Sequence, residues 1–155
     1  MTEPEEPAVR IVEVGDKDVT RREAVAGCTI RMSPEACERL LTRTPKGDAL
    51  EAAKVAGAMA AKRTPDLLPF THPVAITGAE IIAEPDAASG TIGFRATVRA
   101  IDRTGVEMEA LTAAAVAALS LYDTAKAYDR GAVIGELRLL EKRGGAGGDY
   151  RAPQG

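Results

Sequence analysis

The only histidine of the chain, His72, closes a run that begins at Ala60-Ala61-Lys62-Arg63-Thr64-Pro65 and ends at Phe70-Thr71-His72-Pro73. An imidazole titrates near neutral pH. The prolines around it restrict the backbone, so the ring is held in place. A lone histidine can equally be a hydrogen-bonded structural residue. Lys62, Arg63 and Thr64 could grip a phosphate through a charged fork and a hydroxyl. They could also do no more than complement the dipole at a helix C-terminus.

Three other groups have chemical potential. Lys46-Gly47-Asp48 places a lysine on a glycine turn directly before a helix cap, where anions are favoured; the plainer alternative is a solvated loop lysine. Gly105-Val106-Glu107-Met108-Glu109 opens a long helix with two acids, which suits any helix N-terminus. Asp123 and Lys126 are three residues apart and share a helix face. As a surface ion pair they would contribute at most ~1 kcal/mol. On an otherwise apolar helix they could instead form a partly buried acid/base couple with shifted pKa values.

The elements that must carry these groups are legible. Ser33-Pro34-Glu35 is a helix start, with a capping hydroxyl, proline at the first position and an acid in the first turn. This helix should reach Leu41. Asp48 with Glu51 three positions on resembles a capping box for a second helix, from 49 to about 63. Its packed sides hold only small residues (Ala52, Ala53, Ala56, Gly57, Ala60), so it must lie very close to a neighbour. Strands are expected at 10–14, 24–32, 74–84, 91–102 and 133–141, with a turn at 85–90. In the fourth of these, Ile92, Phe94, Ala96, Val98 and Ala100 alternate with Thr91, Arg95, Thr97 and Arg99. A long helix should span 106–128 and stop before Gly131. Residues 1–10, rich in Glu and Pro, read as a disordered lead-in, 11–143 as one domain and 144–155 as a Gly-rich flexible tail. The order strand, helix pair, strand, strand, helix, strand is an α+β pattern of the ferredoxin-like kind. It places an antiparallel sheet under helices packed on one face.

Composition bounds the function. The chain has 155 residues, 45% hydrophobic but only 3% aromatic and without Trp. A core of Ala, Val, Leu and Ile buries little area per side chain, which predicts an oligomer whose interface adds stability. The net charge of -3 argues against bulk binding to nucleic acid. Cys28 and Cys37 lack the companions of a zinc site and read as free buried thiols in a reducing compartment. No stretch approaches the ~20 apolar residues of a membrane span, and the acidic N-terminus is not signal-like, so a cytoplasmic protein is expected. No metal-ligand cluster is present in the sequence, so no structural metal is expected.

Taken together, Lys46-Gly47-Asp48, Ala60 to Thr64, Leu67-Leu68-Pro69-Phe70-Thr71-His72-Pro73, Gly105 to Ala113 and Tyr122-Asp123 with Lys126 resemble the MoaC family. Its members are the cyclic pyranopterin monophosphate synthases of molybdenum cofactor biosynthesis, and the resemblance runs from about Ile11 to Tyr150. It implies a lyase that converts 3',8-cyclo-7,8-dihydroguanosine 5'-triphosphate to cyclic pyranopterin monophosphate and releases diphosphate. It further implies a ferredoxin-like subunit, a homohexamer built as a trimer of dimers, and sites at dimer interfaces. The family's catalytic set falls on Asp123, Lys126, Lys46 and Lys142. Its substrate contacts fall on Phe70, Thr71, His72, Glu107, Met108, Glu109 and Arg22, with Lys62 and Arg63 as further triphosphate ligands. No cofactor is implied beyond magnesium that could accompany the triphosphate.

Three positions depart from the family pattern. Thr71 replaces the usual cysteine before the histidine, Ala146 replaces a second lysine in the terminal glycine loop, and Glu13 replaces an aspartate. A hydroxyl at position 71 can bind but cannot act as a thiolate, and Arg143, near Ala146 in the chain, could serve as a substitute cation. These departures keep open an alternative, a catalytically weakened homologue that acts as a nucleotide-binding or regulatory module. Geometry adds one constraint. Glu109 and Asp123, fourteen residues apart on one helix, are separated by about 21 Å along its axis, so one reacting centre cannot touch both from the same subunit.

Overall fold

Two capping signals set the helical layer. The Ser33 hydroxyl accepts from the Ala36 amide at 3.1 Å and starts α1 (Pro34–Leu40). The Asp48 carboxylate accepts from the Glu51 amide at 3.1 Å and starts α2 (Ala49–Leu67). The computed structural model describes residues 8–154, so residues 1–7 of the lead-in expected at 1–10 lie outside the described residues.

Helix α2 runs one turn past Arg63, where the sequence predicts its end, and takes Pro65 inside it. Proline cannot donate to the Ala61 carbonyl. The buried Thr64 hydroxyl lies 3.1 Å from the carbonyls of both Ala60 and Ala61 and supplies the missing donor. This back-bond lets the helix continue to the Leu67-Leu68 corner that leads to His72.

The remaining elements are β1 (Thr20–Arg31), β2 (Ile76–Asp86), β3 (Thr91–Asp102), α3 (Glu107–Ala125), β4 (Val133–Arg143) and β5 (Tyr150–Arg151). The strands form one antiparallel sheet in the order β2-β3-β1-β4-β5. Cys28 faces Phe94 across the central pair, and Ile30 faces Ile92. The alternation read in β3 holds: Ile92, Phe94, Ala96, Val98 and Ala100 are buried under the helices. The opposite face is solvated and carries the ion pairs Arg95–Glu84 and Arg99–Glu23. Residues 10–14 form no strand, and the expected tail contains β5, which pairs with Glu141 and Lys142 of β4.

Small residues bring α2 against α3, and α3 against the sheet. Ala110, Ala113, Ala114, Ala117, Ala118 and Leu121 are fully buried. At Gly57 an added Cβ would lie 2.9 Å from the Ala113 carbonyl oxygen and 3.3 Å from the Ala117 Cβ, so only glycine permits this crossing. Cys28 and Cys37 are free and buried, and burial raises both thiol pKa values. Among the described residues no helix is long and apolar enough to cross a membrane.

Candidate functional site

The C-terminal end of α3 meets the turn before α2. Thr44 and Gly47 exchange backbone hydrogen bonds, with Gly47 at φ +97°, and the tight turn projects Lys46 outward. Lys46 Nζ donates to Asp123 Oδ2 at 2.9 Å and to the Asp123 carbonyl at 3.2 Å. Lys126 Nζ lies 2.7 Å from Asp123 Oδ1. Hydrogen bonds from Lys126 and Lys46 hold the Asp123 carboxyl down at about 2, and the same contact raises Lys126. All three side chains are exposed, so the burial envisaged for the Asp123–Lys126 couple is absent from the subunit. The Asp123 carboxylate thus has an ammonium against each of its oxygens, an exposed cluster of three charged side chains.

The N-terminal end of α3 opens on a different cavity, about 280 Å³ in volume, lined by Phe70, Thr71, His72, Met108 and Glu109 among others. His72 Nε2 donates to the Val12 carbonyl at 2.6 Å, which leaves Nδ1 as the free ring nitrogen. The segment 8–19, though not a strand, is therefore pinned across the cavity mouth. The Thr71 hydroxyl donates to the Leu68 carbonyl at 2.9 Å. Glu109 is 3% exposed, and no cation lies within ion-pair distance of it among the described residues. Burial, reinforced by repulsion from Glu107 and Asp102, pushes its pKa up to about 7. Glu109 is thus a carboxyl that can exchange a proton near neutrality.

A second cleft of about 630 Å³ adjoins this cavity and shares Lys17, Thr104, Gly105 and Glu107 with it. Lys142 enters it paired to Glu107 at 3.2 Å. Arg22 also lines it, but its guanidinium donates to the carbonyls of Asp102 at 3.3 Å and Arg103 at 3.0 Å. Gly145, Ala146 and Gly147 form the far wall. A Cβ at Gly145 would collide with the Arg22 guanidinium, so glycine allows this loop to fold down on the arginine.

The expected site residues therefore fall into two groups. Phe70, Thr71, His72, Glu107, Met108, Glu109, Arg22 and Lys142 gather around the adjoining cavities, while Lys46, Asp123 and Lys126 lie at the other end of α3. Lys62 and Arg63 reach neither: both are exposed on α2, and Arg63 faces Asp66 at 3.9 Å. Sequence reasoning missed Val12, Val14 and Lys17, because an irregular segment has no periodicity to place it. It also missed Asp102, whose carboxylate accepts from the amides of Ala75 and Arg103 and so fixes the turn into α3. Among the described residues no three His, Cys, Asp or Glu side chains converge as metal ligands.

Comparison with known proteins meets this geometry. The MoaC family profile matches residues 11–145. The cyclic pyranopterin monophosphate synthase of Roseiflexus sp. is 53% identical over 142 residues, covering 91% of this chain and 90% of that protein. The synthase of the same name from Geobacter sulfurreducens is 51% identical over 146 residues, 94% of this chain and 91% of its own. That of Streptomyces griseus is 51% identical over 151 residues, covering 96% and 84%.

Proposed function

The chain belongs to the MoaC family, and on that premise we propose that it is a cyclic pyranopterin monophosphate synthase of molybdenum cofactor biosynthesis. The reaction is the conversion of 3',8-cyclo-7,8-dihydroguanosine 5'-triphosphate to cyclic pyranopterin monophosphate and diphosphate. The observation that carries this reading is Asp123 clamped between Lys46 and Lys126 in a chain about half identical to named synthases. Rearranging a guanine-derived ring requires proton transfers, which Asp123 and Lys126 supply with Lys46 as an acid. Closing the cyclic phosphate requires attack of a hydroxyl oxygen on the α-phosphorus. The bond from that phosphorus to the leaving oxygen breaks as diphosphate departs, and Lys142 and Arg22 stabilise the departing charge. His72, Phe70, Met108 and Glu109 form the walls for the base. Magnesium enters this reading as the companion of the triphosphate, and no resident cofactor is assigned. A cytoplasmic location follows the same proposal.

The site is proposed to be composite. Within one subunit about 21 Å of α3 separates Glu109 from Asp123, and a nucleotide cannot lie against both. A second subunit that brings its own helix end alongside completes the centre, and the exposed apolar residues Val55, Met59 and Leu119 on α2 and α3 give it surface to bury. The strand order β2-β3-β1-β4 supports a ferredoxin-like subunit, and a hexamer made of three such dimers is the assembly proposed. Lys62 and Arg63, unemployed in the single subunit, would then meet substrate only across an interface.

The test is release of diphosphate from the cyclised nucleotide. The Asp123→Ala variant is expected to lose turnover while retaining measurable nucleotide binding. Near-normal turnover in that variant would contradict the assignment. Binding without turnover in the wild-type chain would instead favour the alternative of a nucleotide-binding or regulatory module.

A further inference from the structure

We propose that Asp102 is a positioning residue for the reaction, its carboxylate tying together two walls of the cavity that holds His72 and Glu109, a role that rests on the synthase reading above. These walls come from distant parts of the chain. One is the segment from Phe70 to Val74, and the other runs from Thr104 to Glu109. Asp102 binds the residue that follows the first and the residue that precedes the second. Its Oδ2 accepts from the Ala75 amide at 2.8 Å, and its Oδ1 accepts from the Arg103 amide at 2.7 Å.

Both ties fall where the sheet stops. Ala75 is the residue before β2, and Arg103 is the residue after β3. A charged acceptor makes each bond stronger than a neutral one would be. The Ala75 amide, and then that of Arg103, holds the Asp102 carboxyl below its ordinary pKa, so both oxygens remain acceptors at neutral pH. Arg22 grips the same turn from its backbone side, donating to the carbonyls of Asp102 and Arg103.

The tie at Ala75 is transmitted to the imidazole. Pro73 and Val74 are all that separate Ala75 from His72. Pro73 fixes its own backbone and restricts that of His72, so a displacement at Ala75 moves the ring. The other anchor of the ring is the Val12 carbonyl, on the strap formed by residues 8–19. The tie at Arg103 fixes the turn from which α3 starts at Glu107, and so the first turn that carries Glu109. One carboxylate thus sets His72 against the start of α3 without lining the cavity itself.

The test compares full-length wild type, Asp102→Ala and Asp102→Asn. Asparagine keeps the size but offers one acceptor oxygen, and its NH2 would face an amide donor. It breaks one tie without emptying the site, and it carries the test if Asp102→Ala fails to fold. In both variants kcat for the cyclised nucleotide should fall about ten- to a hundredfold, the scale of a displacement of about 1 Å. KM should change little, because no substrate-binding side chain is altered. His72 is the only histidine, so its imidazole nitrogens give signals without overlap in protein carrying nitrogen-labelled histidine. At mildly alkaline pH, where the ring is neutral, wild type should show one tautomer, protonated on Nε2 as the bond to Val12 requires. Both variants should move towards the tautomer mixture of a free ring. Imidazole signals that stay at their wild-type positions would overturn the proposal, and so would kcat within about twofold of wild type. If wild type releases no diphosphate from the nucleotide, the synthase reading fails, and the imidazole signals still decide whether Asp102 places His72.

Discussion

Replacing Glu109 by Gln should make the protein more stable, by a margin that is absent below about pH 4.5 and grows until about pH 7. The carboxyl is buried at the first turn of α3, and its pKa rises from 4.5 to about 7 chiefly because burial penalises the charged form. Below pH 4.5 the group is neutral in both folded and unfolded chains and has no effect on stability. Between there and about 7 the unfolded chain ionises first, so folding stability falls as pH rises. Above 7 both states are charged and the full loss is present. A shift from 4.5 to about 7 corresponds to about 3 kcal/mol at 1.36 kcal/mol per unit. Glutamine keeps the shape and removes the titration. Urea unfolding of both proteins at one protein concentration, across pH 4 to 8, should show near-equal stability at the acid end. At pH 8 the variant should lead by about 2–3 kcal/mol. A difference that does not change with pH would refute the assignment of Glu109 as a carboxyl neutralised by burial.

Two further outcomes test how the elements are built. Gly57→Ala places a methyl 2.9 Å from the Ala113 carbonyl oxygen and should cost about 1–3 kcal/mol by forcing α2 from α3, read as a lowered urea midpoint. Thr64→Val removes the hydroxyl that serves the Ala61 carbonyl facing Pro65 and should cost about 1–3 kcal/mol. Loss of helical circular dichroism confined to the last turn of α2 would accompany it.

Much of this fold was legible because its signals are local. Ser33 and Asp48 cap the helices as their spacing demands, and β3 alternates because one face is buried under alanines. The small-residue face of α2 announced a close neighbour, and Gly57 against α3 is that contact. Pro65 misled because the rule that ends a helix before proline omits a neighbouring hydroxyl able to satisfy the stranded carbonyl. The strap 8–19 and β5 were invisible for a different reason. Each is held by a few long-range bonds, His72 to Val12 in one case and Ala152 to the Leu140 carbonyl in the other, and neither bond leaves a pattern in the chain. The site residues were named through motif resemblance, and the fourteen-residue spacing of Glu109 and Asp123 already set those two far apart on one helix. The structure divides them between two ends of α3.

That division makes subunit complementation the most direct measurement. Asp123→Ala and His72→Ala, each expected to be inactive alone, would be co-expressed and their mixed assemblies assayed for diphosphate release from the cyclised nucleotide. If each centre takes Asp123 from one subunit and His72 from another, random pairing should restore about a quarter of wild-type activity. Mixed assemblies no more active than either parent would contradict a centre shared between subunits.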